Sequence, residues 1–290
     1  MCNFFSCIVL KDGQVVWDTN IDSHDELLVM ANIKDDTANP AELLFARVEI
    51  VPPDGDVFEK DMKKWMLKID QSITPKWWNK QYEQKCRNAL QTCLKETIID
   101  NQDIDLIQNK SGLWIRNSKI KTIKNSFIRV MRGSSQVGEM RGSSQVREMR
   151  GSSQVGVMRG SSQVGVMRES SQVRVMWGSS QVREMRGSSQ VGVMWESSQV
   201  RVMWESSQVG EMRGSSQVGE MRGSSQVGVM RGSSQVGEMR GSSQVNKISS
   251  KDTKFKIGEN SDAIVIDRSG KQIQIISACT IKTKKYKEEV

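Results

Sequence analysis

The sequence predicts a small α+β N-terminal domain followed by an all-β parallel solenoid and a C-terminal β cap. Three observations carry this. A nine-residue unit, Met-Arg-Gly-Ser-Ser-Gln-Val-Gly-Glu, recurs from Met131 onward. Its methionines keep perfect register through thirteen copies, the last beginning at Met239. The first hundred residues carry none of this repetition and instead mix strand and helix signals.

Composition sets the limits. The chain has 290 residues and a hydrophobic content of 37%. That is low for one globular domain and expected for a repeat array with a narrow core. Net charge is +8, with a pI near 9.2. A basic surface keeps a protein soluble and mildly favours anionic partners. Five cysteines, Cys2, Cys7, Cys86, Cys93 and Cys279, form no C-x-x-C pair, which indicates reduced thiols used for packing. The apolar run Phe4–Leu10 is too short to span a bilayer, and it lacks a basic flank and a cleavage site. The expected location is the host-cell cytoplasm or the virion, with no membrane association.

In residues 1–100, two apolar runs flank Asp12-Gly13, a strong hairpin signal. Ser23-His24-Asp25-Glu26 reads as a capping box that starts a short helix, with His24 exposed at its head. Leu44, Ala46, Val48 and Ile50 alternate with Phe45, Arg47 and Glu49, which predicts a strand with one buried face. Trp65, Leu67 and Ile69 predict another. Thr74-Pro75 is a helix-start signal. The stripe Trp78, Tyr82, Cys86, Ala89 and Cys93 then predicts an amphipathic helix to about Ile98. Of Trp77 and Trp78, one ring is expected in the core and the other on its rim.

Period nine excludes the simple elements. Nine residues make two and a half helical turns, so successive methionines would face opposite sides. In a continuous strand an odd period reverses every side chain from copy to copy. The chain must turn within each unit, and a regular turn is a solenoid. One nonapeptide encloses too little, so each coil is expected to hold two, about 18 residues. Position one of the unit is the methionine. That methionine, the serine at position five and the valine at position seven should point inward. Bends are expected near positions eight to nine and at the glycine of position three. Coils stacked about 4.8 Å apart would give roughly seven coils and a rod about 35 Å long. Degenerate copies extend the array back to about Asn117, and Ile248 takes the last methionine position. The domains expected are thus 1–100, 101–248 and 249–290. The last holds a β-hairpin or an atypical final coil, then a charged tail.

The run Gly-Ser-Ser-Gln-Val-x resembles the Gly-Asn-Ala-x-Val-x hexapeptides of left-handed β-helices and polymer-forming β-solenoids. The layout, a small α+β head on a Gly-Ser-Ser-Gln-Val-x-x-Met array, resembles uncharacterised proteins of phages and gut bacteria. The resemblance implies a solenoid. The three extra residues depart from the hexapeptide pattern and leave handedness open.

The swaps fall on positions two, three, eight and nine, those placed outside. Position two is Arg, replaced by Trp at Trp177, Trp195 and Trp204. Arg168, Trp177, Arg186, Trp195, Trp204 and Arg213 are therefore the candidate binding face, on ladders along two opposite edges. Arg with Trp can bind nucleic acid or glycans, although Glu at positions three and nine can pair the arginines. His24 has no visible nucleophile beside it, and Asp35-Asp36 and Asp54-x-Asp56 are too sparse for a calcium loop. No catalytic residue, cofactor or metal site is expected. The function expected is that of a non-enzymatic scaffold or interaction protein of phage or bacterial origin, whose partner is a protein or a polyanion. The alternative is nucleic-acid binding through the Arg/Trp ladders.

Overall fold

The computed structural model describes residues 5–34, 43–259, 261–270 and 272–277, and the backbone of 281–284. Cys2, Asp35-Asp36, Cys279 and the tail beyond residue 284 lie outside the described residues. The chain forms two compact units, Met1–Ile98 and Ile99–Val290.

The first unit is a four-stranded antiparallel sheet with two helices. Its strands are β1 (Phe5–Leu10), β2 (Val15–Val16), β3 (Phe45–Val51) and β4 (Met66–Ile69), in the order β2-β1-β3-β4. The helices are α1 (His24–Met30) and α2 (Lys80–Thr97). One core gathers Cys7, Val9, Ala46, Val48 and Ile50 with Cys86 and Leu90 of α2. The other joins Ile8 and Phe45 to Leu27 and Leu28 of α1.

Four features of this unit differ from the sequence expectation. Leu44 is exposed and Phe45 is buried, because β3 is packed on both faces rather than one. His24 is buried rather than exposed. Its Nε2 lies 3.1 Å from the Val48 carbonyl and its Nδ1 3.5 Å from Asp70 Oδ2, so it ties α1 to the sheet. The second helix begins at Asn79, whose side chain accepts from Gln81 N at 2.8 Å, rather than at Thr74-Pro75. Pro75 instead opens a turn, its carbonyl accepting from Trp78 N. Trp77 and Trp78 are both half-buried against the same core, rather than one inside and one on the rim. Ser23 does cap α1, accepting from Glu26 N.

The second unit is the parallel β-solenoid, of about nine coils with two nonapeptides in each. Alternate repeats feed two sheets of ten and twelve strands. The strands of the array start at Gln of position six and nearly all end at the next Met, as in Gln181–Met185 and Gln190–Met194. Each pairs in parallel with the strand two repeats on: Gln181 with Gln199, Val182 with Val200, Met185 with Met203. Val at position seven and Met at position one both point inward although they are three residues apart. A regular strand cannot do this. The pairing skips position eight, where a bulge-like kink resets the alternation. The bend expected near positions eight and nine thus lies inside a continuous strand. The core is two facing rows of Val and Met, each at most 2% exposed, flanked by the position-five serines at 0%.

The turn between sheets needs a left-handed residue at position three. Glycine supplies it with φ between 63 and 69°. Asparagine supplies it earlier, at Asn101, Asn109, Asn117 and Asn125, with φ of 48–53°. The first strand of the coil is Ile98–Asp100, ahead of the degenerate copies that begin near Asn117, and the early coils hold two period-eight units each. At the other end Lys254–Ile257 and Ile264–Asp267 continue the two sheets in parallel. These additions at both ends make the rod longer than the repeat count alone implies. Ile264–Asp267 also pairs antiparallel with Ile273–Ser277. This segment is thus both a last coil strand and one arm of a hairpin, and it covers the edge that parallel stacking leaves open.

Candidate interaction surface

Each side chain that points out of the solenoid does so again one coil later, so the exterior consists of columns of equivalent residues. Position two makes one column along each turn edge. Trp177, Trp195 and Arg213 share one, with Arg141, Arg159 and Arg231. Arg168, Arg186 and Trp204 share the other, with Arg150, Arg222 and Arg240. The backbone shows this directly: Trp195 N donates to Met176 O, and Trp204 N to Met185 O. The six candidate residues therefore divide three and three between two edges.

The tryptophans stack along the axis. The Trp177 and Trp195 rings lie 4.9 Å apart and 1° from parallel. The Arg213 guanidinium covers the far face of Trp195 at 4.4 Å, and Arg222 covers Trp204 at the same distance. These faces are already occupied, so a base or sugar cannot stack on them without displacing a neighbour.

The arginines of position two are paired. Position nine sits two residues before position two and leans toward the same edge, so its carboxylate reaches the arginine of its own coil. It also reaches the arginine one coil on. Glu211 binds Arg213 at 2.8 Å and Arg231 at 2.6 Å. Glu139 joins Arg141 and Arg159, Glu148 joins Arg150 and Arg168, and Glu220 joins Arg222 and Arg240. Glu184 holds Arg186 through two contacts of 2.7 and 3.0 Å. Hydrogen bonding to Arg213, with the added charge of Arg231, holds the Glu211 carboxyl below the usual glutamate value. These clamps consume most of the charge that the sequence places on the two edges.

The unpaired cations lie elsewhere. Arg147, Arg174, Arg183 and Arg201 occupy position eight, on the sheet faces, and are exposed. Among the described residues none of them has an ion-pair partner. Three share the ten-stranded sheet: Arg147, Arg183 and Arg201. Arg174 is on the other sheet. A signal was present in the sequence, since position eight is glycine or arginine in all but the last copy, where it is Asn246, and in a regular strand would face opposite to the glutamate at nine. The kink that separates the two columns was needed to see it.

Within the described residues no group of three or more His, Cys, Asp or Glu is placed to hold a metal ion. Among the described residues no helix is long and apolar enough to cross a membrane. The chain matches no family model, no curated protein and no solved structure.

Proposed function

We propose that this chain is a non-enzymatic scaffold or interaction protein, of phage or bacterial origin, and that the solenoid is its partner-binding element. The observation that supports this most is the register of the exterior. Gln at position six recurs in unbroken columns on both sheets, from Gln136 to Gln244 on one and from Gln145 to Gln235 on the other. A partner that touches one coil meets the same groups on the next, so weak contacts add along the axis. Coils also contact mainly their neighbours, which lets length change without loss of fold.

The test is a length series. Chains lacking two or four repeats of the array serve as bait beside the full chain, and retention of the same purified partner is compared. Affinity that falls step by step with coil number supports the reading. It is overturned if a partner, or a catalysed reaction, is unaffected by coil removal and is abolished by substitutions confined to residues 5–97. Recovery of the chain with purified particles would place it in the virion, and recovery with the soluble host fraction would place it in the cytoplasm.

A further inference from the structure

We infer that the outer face of the ten-stranded sheet is a groove for single-stranded nucleic acid, gripped by Arg147, Arg183 and Arg201. The inference rests on reading the solenoid as an interaction element and names the class of partner for one of its faces.

The groove follows from the strand geometry. Position seven points inward, so its backbone forms a floor between two ridges, glutamines at position six and residues of position eight. Gln181, Arg183, Gln199, Arg201 and Gln217 line this depression, whose volume is about 360 Å³. Arg183 and Arg201 lie in adjacent coils, about 4.8 Å apart along the axis, and Arg147 lies two coils before Arg183, about 9.6 Å away. Gly165 and Gly219 interrupt the cationic ridge and open the groove beside it. From Gln145 to Gly237, positions six and eight of this sheet carry no carboxylate. The glutamates of position nine are turned to the edges and clamped there by the arginines of position two.

Three features select the occupant. The guanidinium fork matches phosphate oxygens and its charge is permanent. The glutamine amides donate and accept equally, so they can serve any base or sugar edge. A groove one side chain deep suits a single extended chain. An acidic peptide in strand form repeats its carboxylates about every 6.6–6.8 Å on one side, which matches neither arginine spacing. A single-stranded backbone carries an anion on every residue and adjusts its rise. The tryptophans lie at position two, on the turn edges and not on this face, so binding here is electrostatic and independent of sequence.

The experiment follows the fluorescence anisotropy of a labelled oligo-dT with the full chain, from about 25 to about 200 mM NaCl. Three phosphate contacts on a single strand predict a slope of log affinity against log salt of about −2. The triple variant R147Q/R183Q/R201Q is expected to lose at least tenfold in affinity at low salt and most of the slope. The triple lysine variant keeps the charge and is expected to keep the slope. Arg174→Gln, the same change on the opposite sheet, is expected to leave both unchanged. Should the triple glutamine variant fail to fold by circular dichroism, the single variants R183Q and R201Q carry the test, each lowering the slope magnitude by about 0.7. The assignment is overturned by no oligo-dT binding, by equal binding of wild type and folded glutamine variants, by loss of the slope in the lysine variant, or by a comparable loss in Arg174→Gln. Displacement of oligo-dT by polyglutamate at lower charge concentration than by unlabelled oligo-dT overturns it in favour of an acidic peptide. Failure here removes the nucleic acid alone, because the length series judges the interaction element separately.

Discussion

The carboxylate of Glu169 accepts the backbone N–H of Gly151, one coil below, at 2.8 Å. Glu196 does the same for Gly178 and Glu205 for Gly187. These glutamates stand where the turn requires a left-handed residue, with φ of 56–57°. An L-residue is strained there by roughly 1–2 kcal/mol, and the hydrogen bond offsets part of that cost. Glu169→Gly relieves the strain and gives up the bond, so its melting temperature is expected to stay close to wild type. Glu169→Ala gives up the bond and keeps the strain, and is expected to cost about 1–2 kcal/mol. Thermal melts of the two variants side by side check this. No loss in Glu169→Ala would show that the carboxylate contact contributes nothing, and equal losses in the two variants would show that the turn imposes no strain.

Met185 and Arg186 are adjacent and opposite in consequence. Met185 is fully buried between the sheets, whereas Arg186 lies on the edge against Glu184. Met185→Ala is expected to cost about 2–5 kcal/mol, because the two rows of side chains cannot close a gap without breaking coil register. Arg186→Gln removes one partly exposed ion pair and is expected to cost under about 1 kcal/mol. Denaturant unfolding followed by circular dichroism separates them. Similar small losses would place the methionines outside the core.

The serines at position five make a less obvious case. Ser135 and Ser144 donate to the carbonyl oxygens of Arg132 and Arg141, three residues back. The Ser189 hydroxyl, equally buried, finds no partner among the described residues. Deleting an unpaired buried hydroxyl relieves a desolvation cost. Ser189→Ala is therefore expected to leave stability unchanged or raise it. Ser189→Val adds volume at a corner with no slack and is expected to lower it by about 1–3 kcal/mol. A clear loss on Ser189→Ala would mean that the hydroxyl is bonded in solution.

The solenoid was legible because its inward residues repeat and its turn residue is marked. Met185 and Val182 needed no structure to be placed inside. The repeat units before Asn117 were harder to delimit because Ile, Leu and Asn replace Val, Met and Gly there. Even so, Ile104 with Ile107 and Ile120 with Ile123 keep the three-residue separation of Val and Met. In residues 1–98 alternation placed Ala46, Val48 and Ile50 inside and misled at Leu44 and Phe45, because Leu44 precedes the strand and Phe45 packs into a second core on its other face. His24 shows the same limit, since its burial comes from Val48 and Asp70, which the chain brings to it from far along the sequence. On the surface the sequence indicated that glutamates could pair the candidate arginines but not which glutamate pairs with which arginine. The clamp on Arg231 comes from Glu211 in the preceding coil, and such a pair is invisible until coils are stacked.

The Glu–Arg clamps give the solenoid a predictable acid response. The Glu211 carboxyl is held below its usual value of 4.5, first by hydrogen bonding to Arg213 and then by the charge of Arg231. A group whose folded pKa is depressed stabilises the fold above its unfolded value, and that contribution is lost as pH falls through the folded one. Stability is therefore expected to be flat near neutrality and to decline below about pH 4.5. Arg213→Gln removes the largest cause, so the folded value rises toward the ordinary glutamate one and less stability is expected to be lost on acidification. High salt should shrink the difference, because the clamps are partly exposed. Thermal melts at pH 7, 5, 4 and 3 for the two chains check this. Identical acid profiles would show that the clamps do not contribute to stability.

Deleting one nonapeptide is a sharper probe than deleting a coil. Removal of Met167 to Val175 joins Val166 to Met176 and restores a complete strand, with Val164 and Met176 inward. Each later strand then moves to the opposite sheet but keeps its own neighbours two repeats away. The Val–Met core is nearly the same on both sheets, so the shortened chain is expected to fold with unchanged strand signal and a modest loss of stability, about one repeat's share. The surface is not conserved in the same way. Arg183 and Arg201 cross to the other sheet, where Arg183 comes to lie above Gly156, while Arg147 remains on its original face. Trp177 and Trp195 cross edges together and stay stacked. Oligo-dT affinity is therefore expected to fall, and its salt slope to drop from about −2 to about −1.4, the value for two contacts. Deleting two nonapeptides, Met158 to Val175, keeps all three arginines on one sheet and brings Arg147 and Arg183 into adjacent coils, so the slope of about −2 is expected to survive. Equal slopes for the two deletions would show that the arginines do not act as one site. Collapse of the fold after the single-repeat deletion alone would show that the two sheets, despite their common repeat, are not interchangeable.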